Sequence, residues 1–153
     1  MDVELIHPMI VHFPIVLWLL AVVCQFAVVF RGEQFAARQS WQRASLWLLV
    51  LGCVAGAIAA GFGDLAKDVA MDKGFPTQPI ESHEEMATST LTLFIILTLV
   101  QGSLFWRKIE LKPLLAWALP LAGLVGCAML LVTAFYGGSL VYDLGVNVSA
   151  ISA

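Results

Sequence analysis

The chain has 153 residues, of which 60% are hydrophobic and 12% are charged, and its formal net charge is -3. Soluble domains carry about 25% charged residues, so this composition excludes an ordinary soluble protein. We expect no nucleic acid as a partner.

Four apolar runs are long enough to cross a bilayer, which takes about 17–25 residues in a helix. They cover residues 8–30, 44–64, 83–106 and 113–136, and a short tail follows at residues 137–153. The segments between the runs are too short to form a separate soluble domain. The sequence therefore predicts an all-α integral membrane protein: one antiparallel bundle of four transmembrane helices over residues 1–153, surrounded by the lipid bilayer.

The first span begins with the segment His7-Pro8-Met9-Ile10-Val11-His12-Phe13-Pro14. Proline is favoured at the first position of a helix, and either proline of this segment suits that position. In a helix that is continuous from Pro8, His12 lies about 7 Å deeper than His7. A deeper histidine has less water to satisfy it, so it has more need of a partner or a ligand.

Small residues recur four apart in the second span, at Gly52, Gly56 and Ala60, and Asp64 follows them. Such a stripe allows close helix packing, or it leaves a gap for a flat cofactor. Asp64 is either a solvated carboxylate at the helix end or the acceptor that orients a ligating histidine.

The segment before the third span contains Pro76 and Pro79, which argue against one uninterrupted helix there. Ser82 and Glu85 fit a capping box, which would place His83 in the first turn of the third helix. An earlier start, at Pro79, would place His83 more than a turn inside it. A polar face follows His83 and is predicted to point into the bundle: Ala87, Thr90, Phe94, Thr98 and Gln101.

Lysine and arginine predict the orientation of the bundle. Six of the eight follow the first and third spans: Arg31, Arg38, Arg43, Arg107, Lys108 and Lys112. The positive-inside rule makes these loops cytoplasmic and places both termini outside. Nine of the eleven acidic residues, Asp2 and Glu4 among them, then also lie outside. This asymmetry follows from membrane insertion alone, or it attracts a cationic partner such as a small cytochrome.

All three histidines of the chain lie at the predicted outer face. Imidazole binds metals and haem iron and also transfers protons, so three histidines at one face predict a site. We expect His12 and His83 to be the ligands, because they come from different spans. His7 is the alternate ligand or a hydrogen-bond partner, and Asp64 and Tyr142 are expected nearby.

Three segments carry a resemblance to a known family: the start from His7 to Ile15, the His83 opening of the third span, and the tail from Gly137 to Val148. They resemble a bacterial family of predicted four-helix membrane proteins, a domain of unknown function, over essentially the whole chain. Some of its members are fused to Rieske or cytochrome c domains, which implies electron transport through haem b or quinol at the bacterial inner membrane. Leu144 and Asn147 replace a histidine and a glycine of the family's tail, so this chain lacks any ligand that the tail histidine provides.

The leading hypothesis is a membrane-embedded b-type haem protein that transfers electrons near the periplasmic face and is linked to quinol oxidation. Its partners would be a quinol, a periplasmic cytochrome or a Rieske-type protein. One alternative is a zinc or copper site at the outer face, formed by the histidines and Asp64. The other is a structural or assembly subunit of a homo-oligomer or a larger membrane complex, without chemistry. We assign no catalytic residue.

Overall fold

The computed structural model describes residues 6–37, 39–146 and 148, and its regular elements are all helices. In chain order they are α1 (Ile6–Ile10), α2 (His12–Phe30), α3 (Ser40–Asp72), α4 (Thr77–Arg107), α5 (Pro113–Ala116) and α6 (Ala118–Tyr142). They form four helical stretches long and apolar enough to cross a membrane: Ile6–Phe30, Ser40–Asp72, Thr77–Arg107 and Pro113–Tyr142. The predicted all-α membrane fold is confirmed. Asp2, Glu4, Arg38 and Asn147 lie outside the described residues.

Two of the four spans are interrupted by a proline. Pro14 lacks the N–H that would bond to the carbonyl of Ile10, and α1 ends at Ile10. Pro120 likewise lacks the N–H for the carbonyl of Ala116, where α5 ends. A single residue separates the two pieces in each case, so α1 with α2, and α5 with α6, act as one span each.

The second and third spans extend beyond the apolar runs that predict them. α3 continues to Asp72 and α4 begins at Thr77, so only residues 73–76 join them. The expected capping box is not a helix start, because the helix begins before Ser82. Pro79 is tolerated in the first turn, where a backbone N–H has no partner within the helix. His83 therefore lies more than one turn inside α4.

The helices surround a common axis. α2 packs on α3, α4 packs on α6, and further contacts join α3 to α4 and α2 to α6. α2 and α4 therefore face each other across the axis, where their side chains meet in like pairs. Trp18 stacks on Phe94 with ring centres 4.3 Å apart and planes 4° apart. Gln25 Nε2 donates to Gln101 Oε1 at 2.8 Å.

These pairs reveal an internal repeat. Gln25 and Gln101 are 76 residues apart, and the same separation relates Trp18 to Phe94. Buried residues of α2 recur at this separation in α4: Pro14 with Thr90, Trp18 with Phe94, Ala21 with Leu97, Gln25 with Gln101, and Val28 with Leu104. The two helical hairpins are thus related by a pseudo-two-fold axis parallel to the helices, as in membrane proteins built from parallel repeats.

A small apolar cluster closes one end of the bundle. Its buried members are Ala70, Ile80, Leu140 and Val146. Beside it, Lys67 of α3 donates to Glu84 of α4. We call this end, where the first and third spans begin, the histidine face. The opposite end, where α2 and α4 end and α3 and α5 begin, is the basic face.

Candidate functional site

His7 lies against the second span. Its Nδ1 is 2.8 Å from the backbone oxygen of Ala59. A carbonyl oxygen only accepts, so Nδ1 donates and carries a proton. A Cβ added at Gly63, one turn further along α3, would lie 3.1 Å from Cε1 of His7. Because Gly63 has no side chain, the imidazole can approach the backbone of α3 closely enough to bond to it.

His83 is held by α6 in the same way. Its Nδ1 is 3.1 Å from the backbone oxygen of Thr133, and a Cβ at Gly137 would lie 3.0 Å from its Cε1. Thr133 precedes Gly137 by one helical turn, as Ala59 precedes Gly63. The internal repeat therefore includes both histidines together with the carbonyl and the glycine that hold each of them.

The two imidazoles meet at the histidine face. Their ring centres are 6.3 Å apart and their planes are at 86°. Since Nδ1 of each ring donates to a backbone carbonyl, Nε2 is the nitrogen of each ring that remains to bind a ligand. Histidines that ligate a metal have this arrangement, in which a carbonyl bound to one nitrogen orients the ring and raises the basicity of the other.

The other predicted site residues are exposed. His12 is on the exposed side of α2, because five residues of helix turn it about 140° from His7. Asp64 is exposed on α3, and Tyr142 is 89% exposed at the end of α6. The structure therefore brings His83 together with His7, whereas the sequence favours His12 as its partner.

Few side chains at the histidine face could ligate a metal ion. Among residues 6–37, 39–146 and 148, no group of three or more His, Cys, Asp and Glu side chains could hold a metal ion. The carboxylate next to His83 along the chain, that of Glu84, is engaged by Lys67. The pair thus offers two nitrogen donors from opposite sides of the repeat axis.

Sequence reasoning did not single out Trp18 and Gln25, which occupy the axis beyond the histidines. A signal for them does exist in the sequence. A histidine, an aromatic residue and a glutamine follow at the same spacing in the first span (His7, Trp18, Gln25) and in the third (His83, Phe94, Gln101). A comparison of the two halves would have selected His7 over His12.

The comparisons with known proteins confirm the resemblance to a family of predicted membrane proteins. No curated protein and no solved structure matches this sequence. The family of predicted membrane proteins DUF2231 matches residues 4–150, which is nearly the whole length. The chain therefore belongs to the DUF2231 family of predicted membrane proteins.

Proposed function

We propose that His7 and His83 ligate the iron of one b-type haem and that the protein transfers electrons at its histidine face. The observation that carries this proposal is the separation of the two ring centres, 6.3 Å. Two ligand bonds of about 2 Å and two ring radii of about 1 Å place the ring centres of a bis-histidine pair about 6 Å apart. The distance between His7 and His83 supports an iron between them.

The number of donors favours haem over zinc. Zinc takes three or four protein ligands, whereas the described residues at this face offer two histidines without a third donor group. Haem iron receives four bonds from the porphyrin and needs only two axial ligands. Bound haem would supply reversible one-electron transfer. The carbonyls of Ala59 and Thr133 would fix the two rings and make each Nε2 a better donor.

The position of the pair indicates its partners. The described basic residues concentrate at the opposite face, which supports a periplasmic histidine face in a bacterial inner membrane. A quinol within the bilayer, or a periplasmic cytochrome or Rieske-type protein, would then exchange electrons with the haem. The protein would act as one electron-transfer subunit, alone or in a larger complex.

The visible spectrum of the full chain, purified in mild detergent from a haem-producing host, tests this proposal. We expect a Soret band and, after reduction, sharp α and β bands. His7→Ala and His83→Ala should each lose most of the haem, because one axial nitrogen is removed. His12→Ala is the matched control, since His12 is exposed, and it should keep the full haem content.

Haem content per protein decides the outcome, provided that each variant remains monodisperse. A colourless wild-type protein would overturn the proposal. Loss of haem in His12→Ala with retention in His7→Ala would also contradict it and would assign the iron to His12. Stoichiometric copper or zinc in a colourless preparation would favour a metal ion at the same two nitrogens.

A second function is favoured by the hydrogen bonds themselves. The hydrogen bond of His7 links α1 to α3, and that of His83 links α4 to α6. Neither link requires a ligand. The protein would then be a structural or assembly subunit of a homo-oligomer or a larger membrane complex. In that case the purified protein is colourless and free of metal. His7→Ala and His83→Ala then lower its free energy of unfolding by about 1 kcal/mol each.

A further inference from the structure

A cluster of polar side chains is buried between the histidines and the basic face. Gln25, Gln42 and Ser45 are fully buried, and Gln101 is 1% exposed. Gln101 joins two of the others, because its Oε1 accepts from Gln25 Nε2 and its Nε2 donates to Ser45 Oγ at 2.9 Å. We call these four residues the amide layer. Polar groups inside a membrane span are costly, so they commonly mark a functional path.

Two oxygen atoms of the amide layer need a donor. Oε1 of Gln25 and Oε1 of Gln42 are buried and have no hydrogen-bond partner among the described residues. An unsatisfied buried acceptor costs about 1–3 kcal/mol. Buried water molecules typically satisfy such groups. The two oxygens therefore indicate a ligand that donates hydrogen bonds.

The amide layer departs from the internal repeat on one side only. The axial pair, Gln25 and Gln101, is alike in both halves. On α6, however, the equivalent of Ser45 is Leu119, because Ser45 and Leu119 are as far apart in the sequence as the equivalent glycines Gly52 and Gly126. In the same register, Ala116 is equivalent to Gln42, and both Leu119 and Ala116 are buried. The polar side chains beside the axis therefore lie on α3 and not on α6. Gln25 Oε1 itself lies on the α6 side, 2.9 Å from the position of a Cβ at Gly123.

The polar side chains on α3 lead to the basic face. Gln42 Nε2 donates to Glu33 Oε2 at 2.7 Å, and Glu33 lies in the connection between α2 and α3. Arg31 Nε donates to the other carboxylate oxygen at 2.8 Å. The hydrogen bonds from Arg31 and then Gln42 lower the pKa of Glu33, so this carboxylate is charged and attracts water at neutral pH.

The Trp18–Phe94 stack separates the amide layer from the histidine face. Trp18 lies about two turns from Gln25 along α2, on the side of His7. The two stacked rings are 3% and 0% exposed, and their faces fill the axis. Their one unpartnered polar atom among the described residues is Nε1 of Trp18, which is buried on the α3 side, 2.5 Å from the position of a Cβ at Gly52. A path for water from the basic face would therefore end at this stack.

We propose that the amide layer is the inner end of a water-filled path that opens at Glu33 on the basic face and is closed by the Trp18–Phe94 stack. Its ligand is water, which donates to the unpartnered Oε1 of Gln42 on the α3 side. The path carries water, and the protons that move through it, into the membrane interior from one face only. The path is separate from the proposed electron transfer and does not depend on a bound haem.

Cysteine accessibility tests this path in the full chain, with the native cysteines Cys24, Cys53 and Cys127 replaced by alanine. Ser45→Cys changes a single atom, and Leu119→Cys, its equivalent in the other half, is the matched control. A small, charged, membrane-impermeant thiol reagent is added to one face or the other of reconstituted vesicles. Gln39→Cys and Asp72→Cys identify the two faces.

Because the thiolate is the reacting species and needs water, Ser45→Cys should react at least about tenfold faster than Leu119→Cys. This reaction should occur only from the face at which Gln39→Cys reacts. Equal rates for the two variants, or reaction of Ser45→Cys from the Asp72 side, would overturn the proposal.

A second pair keeps the test decisive if Ser45→Cys or Leu119→Cys does not remain monodisperse. Gln42→Cys lies nearer to Glu33, and Ala116→Cys is its equivalent in the other half. Gln42→Cys should react faster than Ala116→Cys, and only from the Gln39 side. If Gln42→Cys reacts no faster than Ala116→Cys, the path is absent.

Discussion

At Gly52, Gly56 and Gly126, an aromatic ring from the neighbouring helix occupies the space that a side chain would fill. A Cβ added at Gly52 would lie 2.5 Å from Cδ1 of Trp18, and one at Gly126 would lie 2.7 Å from Cζ of Phe94. The small-residue stripe of the second span allows either close packing or a gap for a cofactor. At Gly52 and Gly56 the structure has close packing, because Trp18 fills the space.

Substitution of Gly52 by alanine tests this contact. The new methyl group must displace Trp18, so we expect Gly52→Ala to lower the free energy of unfolding by about 1–3 kcal/mol. Gly61→Ala is the control, because a Cβ there meets no atom within 4 Å. It should be neutral or stabilising by up to about 1 kcal/mol, through the helix propensity of alanine. Denaturant titration in detergent, followed by tryptophan fluorescence, measures both variants. Equal stability of the two would contradict the packing role of Gly52.

At the scale of the helices, the buried amides connect α2 to α4 and α3. Gln101 bonds to both Gln25 and Ser45, whereas among the described residues Gln25 bonds to Gln101 alone. Removal of Gln101 therefore leaves two buried partners unsatisfied, and removal of Gln25 leaves Gln101 with one partner. The two glutamines are equivalent in the repeat but unequal in their contributions to stability.

A double-mutant cycle on this pair should show that inequality. Gln101→Leu should cost more than Gln25→Leu, with each loss in the range of about 1–3 kcal/mol. The double variant should lose less than the sum of the two, since the partner left unsatisfied in each single variant is absent. Ser103→Ala, an exposed hydroxyl that bonds only to the carbonyl of Leu99, is the control. Additive losses would show that the amide pair does not couple α2 to α4.

Helix extent shows where sequence reasoning succeeds and where it stops. The apolar runs predict four spans because bilayer thickness fixes their length. They do not predict the ends of α3 and α4, because the charged residues that end an apolar run do not end a helix. Likewise, Ser82 and Glu85 have the spacing of a cap, but α4 already begins at Thr77. The inward face of α4 is predicted better, since Thr90, Phe94 and Gln101 are buried.

For the whole molecule, alternating span directions are enough to place His7, His12 and His83 at one end. They do not decide which histidines meet, because that depends on the rotation of the first span, formed by α1 and α2, about its own axis. His7 and His12 differ by about 140° on that span, so only one of them can face His83. The choice is made by packing across the bundle, where Trp18 and Gln25 face their equivalents in α4.

The orientation of the bundle across the membrane can be tested separately. The described basic residues of the basic face are Arg31, Arg43, Arg107, Lys108 and Lys112. We therefore expect this face to be cytoplasmic. In intact cells an impermeant thiol reagent should label Asp72→Cys and should not label Gln39→Cys until the membrane is permeabilised. Labelling of Gln39→Cys in intact cells would reverse the orientation and place the His7–His83 pair toward the cytoplasm.

The internal repeat has a consequence for how the two halves of the chain can differ. Two identical hairpins associated as a dimer would form the same axial pairs, but every substitution would then occur on both sides of the axis at once. In a single continuous chain each half is encoded separately, so Ser45 can stand opposite Leu119. Like residues on the axis preserve the contacts between the halves, while unlike residues beside it place buried polar side chains on one side of the bundle and apolar side chains on the other.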